Sequence, residues 1–144
     1  MSFALYPAMF FHVALMVTTT YFLLGGLPLL ILAHDVSLDA RFVQSFFKVY
    51  YRAAFWASLG ACLSYALWAR WGFALGAGGL CALSIALRQR LLPTMQRIGQ
   101  QIEAQQAGAV QRFRRVHGTA LALNLLQLVL LVWATLQLSW LVAR

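Results

Sequence analysis

His117, Asn124 and Gln127 carry hydrogen-bonding side chains into the apolar stretch FRRVHGTALALNLLQL, residues 113 to 128. Seven residues separate the histidine from the first amide and three more lead to the second, so all three share one face of a helix. At about 1.5 Å per residue the row reaches roughly 15 Å inward. An unpaired amide in hydrocarbon costs on the order of 1–3 kcal/mol, so this face must look into protein rather than lipid. Two roles fit. The amides can bond to neighbouring helices as packing glue, at about 0.6 kcal/mol each. Alternatively, the row lines a polar pocket open to the cytoplasm, with Thr20 and Tyr21, and the neighbouring Thr18 and Thr19, as further lining from the first helix.

Three histidines also raise haem b, whose iron takes axial imidazoles from helices in bundles. His12 and His34 lie on one helix about 33 Å apart, at opposite membrane faces. His34 ends the first helix and His117 begins the fourth, which puts both on the same side; they are the pair that could share an iron. Arg112, Arg114 and Arg115 stand close enough in sequence to receive the propionates. His12 reads as an interfacial residue.

Other chemistries have thinner support. Cys62 and Cys81 fall at comparable depths on adjacent helices, but without a CxxC spacing, and a buried cysteine usually acts as a small apolar residue. Asp35, Asp39 and Glu103 are the three carboxylates, and none lies within a span, which disfavours a carboxylate proton relay. Phosphate-loop, triad and zinc-ligand spacings are missing, and no metal other than a haem iron is expected.

The elements that must position these groups are legible as uncharged runs. The chain has 144 residues, 62% apolar and 10% charged. Residues 1–33, 53–69, 71–87 and 116–143 contain no Asp, Glu, Lys or Arg. A bilayer core of about 30 Å needs roughly 20 apolar residues. The outer runs suffice alone, and the two shorter ones can be extended by Tyr50, Tyr51, Arg52, Trp68, Arg70, Arg88 and Arg90 at the headgroups. The expectation is an all-α, integral membrane four-helix bundle, antiparallel and up-down, forming a single transmembrane domain over residues 1–144. Its spans lie near 10–33, 50–69, 71–88 and 116–141. Leu91, Met95, Ile98 and Ile102 recur at helical spacing between polar residues. They predict a cytoplasmic amphipathic helical segment between helices three and four, followed by a turn near Gly108. Gly25, Gly26 and Pro28 predict a bend in the first helix. Ser37 or Asp39 is expected to cap the second. Small residues on helix two (Ala53, Ala57, Gly60, Ala61, Ser64) and helix three (Gly72, Gly76, Gly78, Gly79) predict a tight hairpin.

The start MSFALYPAMFF lacks a basic n-region, and its apolar run exceeds an h-region, so cleavage as a signal peptide is not expected. The +8 charge is no sign of nucleic-acid binding, because the cations sit where helices leave the membrane and no soluble domain offers a groove. Arg41, Lys48 and Arg52 in the first loop and Arg88, Arg90, Arg97, Arg112, Arg114 and Arg115 in the third make nine of the eleven cations. The positive-inside rule then places those loops in the cytoplasm of a bacterial-type inner membrane, with both termini outside.

The row Phe113, His117-Gly118, Asn124-Leu125 resembles the final helix of the transmembrane-protein-205-like family (domain of unknown function 4149). QSFFKVYY (Gln44 to Tyr51) is similar to that family's aromatic entry into helix two, and LLPTMQRIGQQIE (Leu91 to Glu103) to the stretch after helix three. LAHD, at the end of the first helix, departs from the family pattern. The resemblance implies a small four-helix membrane protein with relatives associated with drug resistance and trafficking, and no defined catalytic site. Together these readings favour a non-enzymatic accessory or small-molecule-handling bundle with a polar pocket at His117, Asn124 and Gln127. The alternatives are a bis-histidine haem protein using His34 and His117, and a structural subunit of a larger membrane complex. The partners expected are the lipid bilayer and other membrane subunits or further copies of the chain.

Overall fold

The computed structural model describes residues 3–31, 33 and 37–142. It contains four helices, α1 (Leu5–Ile31), α2 (Ser37–Leu67), α3 (Trp71–Glu103) and α4 (Ala109–Val142), and no strand among the described residues. The helices α1, α3 and α4 are long and apolar enough to cross a membrane; α2 falls short of that standard because tyrosines, serines and cations interrupt its apolar residues. α1 packs on α2 and α4, and α3 packs on the same two. α1 therefore faces α3 across one diagonal of the bundle and α2 faces α4 across the other.

Helical periodicity decides what faces inward. On α2 the buried positions are Ala40, Val43, Phe47, Tyr50, Tyr51, Ala54, Ala57, Ser58, Ala61, Ser64 and Tyr65, steps of three and four that keep one stripe on the core. On α4 they are Ala109, Phe113, His117, Ala120, Leu121, Asn124, Gln127, Leu131 and Leu138. The polar row thus faces the interior. The opposite faces carry exposed Val17, Leu24, Trp56, Leu63, Leu75, Val129, Leu136 and Trp140, the apolar exterior expected of a lipid-facing surface.

The segment expected as a separate amphipathic helix is the last third of α3, which runs unbroken through Pro93 to Glu103. Met95, Ile98 and Ile102 join the main core with Ala40, Val43, Phe47, Ala109 and Phe113, while Leu91 is half-buried. α1 likewise runs on through Pro28. The expected hairpin forms, α2 and α3 making the most extensive helix pair, but only some of its small residues sit at the contact. Gly60 lies against Phe11 of α1, where a Cβ would come within 2.6 Å of the ring, and Gly72, Gly76 and Gly79 face open space. Close α2–α3 approach falls at Gly78, opposite Cys62, and further along at Gly99, whose Cβ would stand 3.5 Å from that of Ala40.

Both helix ends leading into short connections use a left-handed residue that is not glycine. Ala69 (φ 57°) closes α2, with Arg70 N–H donating to Tyr65 C=O at 2.9 Å and Ala69 N–H to Ala66 C=O at 3.0 Å. Gln105 (φ 53°) closes α3 in the same way, through Gln106 N–H to Gln101 C=O and Gln105 N–H to Ile102 C=O. The paired bonds are those of a Schellman cap. Gly108, where a turn was expected, has φ 76° just before α4 begins.

Candidate functional site

Two buried polar groups cross the bundle. The first gathers Thr19 of α1, Tyr50 and Tyr51 of α2, and Asn124 and Gln127 of α4. Tyr50 Oη donates to Asn124 Oδ1 at 2.5 Å, and Asn124 Nδ2 donates to Ala120 C=O at 2.7 Å and to Tyr51 Oη at 3.4 Å. Gln127 Nε2 donates to Thr19 Oγ1 at 3.3 Å, and Thr19 donates to Leu15 C=O at 2.8 Å. Phe22 stacks on Tyr50 with centroids 3.9 Å apart. The side chains fill the diagonal between α2 and α4, which the backbones leave open.

The pocket expected on this face is therefore a packed cluster. Tyr21, proposed as lining, is 73% exposed on the outer surface, because it follows Thr19 by two positions and so points to the other side of α1. Thr20 bonds back to Met16 C=O at 2.8 Å. His117 is 0% exposed, its ring nearly perpendicular to that of Phe47 at 5.2 Å between centroids. His117 lines neither the cleft between α3 and α4 nor the cavity between α2 and α3. Its proposed partner His34 lies outside the described residues. Arg112, Arg114 and Arg115 are exposed near the start of α4; Arg112 donates to Gln101 Oε1 at 3.0 Å and Arg114 to Ala33 C=O at 3.4 Å. Cys62 and Cys81 are free thiols. Of the carboxylates, Asp35 lies outside the described residues, Asp39 sits in the first turn of α2, and Glu103 pairs with Arg41 at 3.1 Å.

The second polar group centres on His12, which is 3% exposed and turned into the bundle. Its Nδ1 is 3.0 Å from Tyr65 Oη on α2, and its Nε2 is 2.9 Å from Thr135 Oγ1 and 3.3 Å from Leu131 C=O on α4. Thr135 Oγ1 donates to Leu131 C=O at 2.8 Å. The acceptors fix the proton order. A carbonyl only accepts, so Nε2 carries the hydrogen and Nδ1 accepts from the tyrosine hydroxyl. The chain runs Tyr65 O–H to His12, His12 N–H to Thr135, and Thr135 O–H to the backbone, and it leaves the lone pairs of Tyr65 Oη available.

His12 and Tyr65 form the floor of a cleft of about 570 Å³. Gly72, Phe73, Gly76, Ala77 and Leu80 of α3 make one wall; Leu130, Leu131, Trp133, Ala134, Gln137 and Leu141 of α4 make the other. Gly72, Gly76, Trp133 and Gln137 are exposed at its rim, so the cleft opens sideways between α3 and α4. A mostly apolar gap with a polar floor, and Gln137 at its rim, suits a largely apolar molecule bearing a hydrogen-bonding head group. Sequence reasoning missed this site because its polar residues lie on three helices with no shared motif.

Compared with known proteins, the chain matches no family model, no curated sequence and no solved structure.

Proposed function

We propose that this chain is a non-enzymatic, four-span, antiparallel up-down protein of a bacterial-type inner membrane that takes a small apolar molecule into the cleft between α3 and α4. One observation carries the assignment: the hydrogen-bonded pair His12 and Tyr65 lines a mostly apolar cavity of about 570 Å³, with Gln137 as the other polar side chain at its rim. A buried hydrogen-bonded histidine beside open space is costly to maintain for packing alone, because its polar atoms need fixed partners. In the proposed role, the lone pairs of Tyr65 receive a hydroxyl or N–H of the ligand, while Phe73, Leu80 and Trp133 cover its apolar part.

Membrane insertion of α2 as the fourth span is supported by its uncharged run from Ala53 and by its position between α1 and α3. The cations of the first and third connections favour the cytoplasm for that end, with both termini outside. The cleft then lies in the outer half of the bilayer, open to lipid. The Thr19–Tyr50–Asn124–Gln127 cluster holds three helices together beneath it. The segment with Phe113, His117 and Asn124 supports placing the chain among the transmembrane-protein-205-like proteins.

Native mass spectrometry of the chain, released from mild detergent, tests the proposal. The expected spectrum is a monomer carrying an adduct smaller than a phospholipid, whether or not a phospholipid is also retained. A bare monomer would contradict the ligand assignment, and a stable complex with other subunits would favour a structural role.

A further inference from the structure

A second cavity, of about 480 Å³, opens between α2 and α3 at the other end of the bundle. We infer that it binds the phosphate-bearing head group of an anionic phospholipid, with Lys48 and Arg88 as the cationic contacts.

The register of α3 makes the cavity. Its buried positions run Ala74, Ala77, Cys81 and Ser84, lapse, and resume at Met95, Ile98 and Ile102. Continuing the same three-and-four steps from Ser84 to Met95 passes through positions 88 and 91 or 92. Position 88 is an arginine, exposed, on the face of α3 that elsewhere packs inward. A helix cannot pack that face on a neighbour without burying the guanidinium, so the wall recedes there. Pro93, which has no N–H to continue the ladder, lines the same gap. On α2, Lys48, Tyr51 and Phe55 form one stripe at steps of three and four facing the gap.

The lining is graded. Phe55 and Leu92 are apolar, Tyr51 and Gln96 can hydrogen-bond, and Lys48 and Arg88 are cations. Neither Asp39 nor Glu103, the carboxylates among the described residues, lines the cavity. Two cations share one recess with no carboxylate lining it among the described residues, next to apolar side chains that suit an acyl chain. Basic recesses between membrane helices on the cytoplasmic side recognise anionic lipid head groups in this way. The assignment rests on α2 and α3 being membrane spans.

The test is lipid retention by the full chain, reconstituted in vesicles of phosphatidylcholine with phosphatidylglycerol, then released and weighed by native mass spectrometry. Phosphatidylglycerol should be retained over phosphatidylcholine. Each cation removed should weaken retention about fivefold, and Lys48→Ala with Arg88→Ala roughly twentyfold or more. Arg90→Ala with Arg97→Ala, which removes two cations that do not line the cavity, should stay within about twofold of the wild type. If the double-alanine variant fails to fold, Arg88→Gln alone gives the same comparison at about fivefold. Equal loss in the two double variants, equal retention of both lipids, or displacement of the lipid by inorganic phosphate alone would overturn the assignment. Extraction of the chain from vesicles by alkaline carbonate would instead defeat the membrane assignment, and this site with it.

Discussion

At the scale of single residues, hydrogen-bond length and burial rank the polar contacts. Tyr50 donates to Asn124 at 2.5 Å, whereas the bond from Asn124 to Tyr51 spans 3.4 Å. Tyr50→Phe leaves a buried amide oxygen without its donor and should lower stability by about 1–3 kcal/mol, while Tyr51→Phe should cost under about 1 kcal/mol. Thermal unfolding of both variants in detergent checks this, and equal losses would show that the cluster does not depend on the short bond. Two glycines rank too. A Cβ at Gly60 would meet three ring atoms of Phe11 at 2.6–2.7 Å; one at Gly76 would meet nothing within 4 Å. Gly60→Ala should therefore destabilise, and Gly76→Ala should be neutral or stabilising by up to about 1 kcal/mol through helix propensity. Inward placement of His117, Asn124 and Gln127 was legible in the sequence, since a fixed helical period carries three polar residues to one face. That His12 turns inward was not, because nothing on its own helix distinguishes an interfacial histidine from one met by Tyr65 and Thr135, residues more than fifty positions away.

At the scale of elements, the caps show where local preference yields to the tertiary path. Ala69 holds a left-handed conformation that costs an L-residue roughly 1–2 kcal/mol. Ala69→Gly should raise stability by about 0.5–1 kcal/mol, offset in part by the greater freedom of glycine in the unfolded chain. An unchanged or lowered unfolding temperature would mean that the Schellman bonds at this corner do not govern how α2 ends. Composition signalled the helices themselves, because charge-free runs and aromatic flanks mark them directly. The continuation of α3 to Glu103 was less legible: Pro93 and a change from apolar to mixed composition suggest a boundary. The helix continues because Met95, Ile98 and Ile102 find core partners on α2 and α4 that the local sequence does not reveal. The small-residue stripes marked the α2–α3 pair but not which glycines touch, for a related reason. Glycine permits close approach without requiring it, and the stripe at Gly72 and Gly76 borders a gap.

For the whole molecule, the pairwise packing leaves α3 and α4 in contact along only part of their length, and the cleft lies where they part. Such a gap depends on the crossing of four helices and leaves no signature in any one segment. The charge distribution, by contrast, was readable from the sequence alone and makes a direct forecast. Single cysteines placed at Gln106 and at Arg70, in a chain whose own cysteines are replaced by alanine, should label from opposite sides of inner-membrane vesicles, Gln106 on the cytoplasmic side. Labelling of both from one side would remove the antiparallel, four-span arrangement.

The most direct test of the cleft compares the small molecules extracted from purified wild-type chain with those from Gly76→Leu. The new side chain enters open space, so the bundle should fold normally while the cleft is filled. The account predicts a compound bound near one per chain in the wild type and reduced at least tenfold in Gly76→Leu, with unfolding temperature unchanged or raised. Equal amounts of that compound in both proteins, or none in the wild type, would contradict a ligand site between α3 and α4.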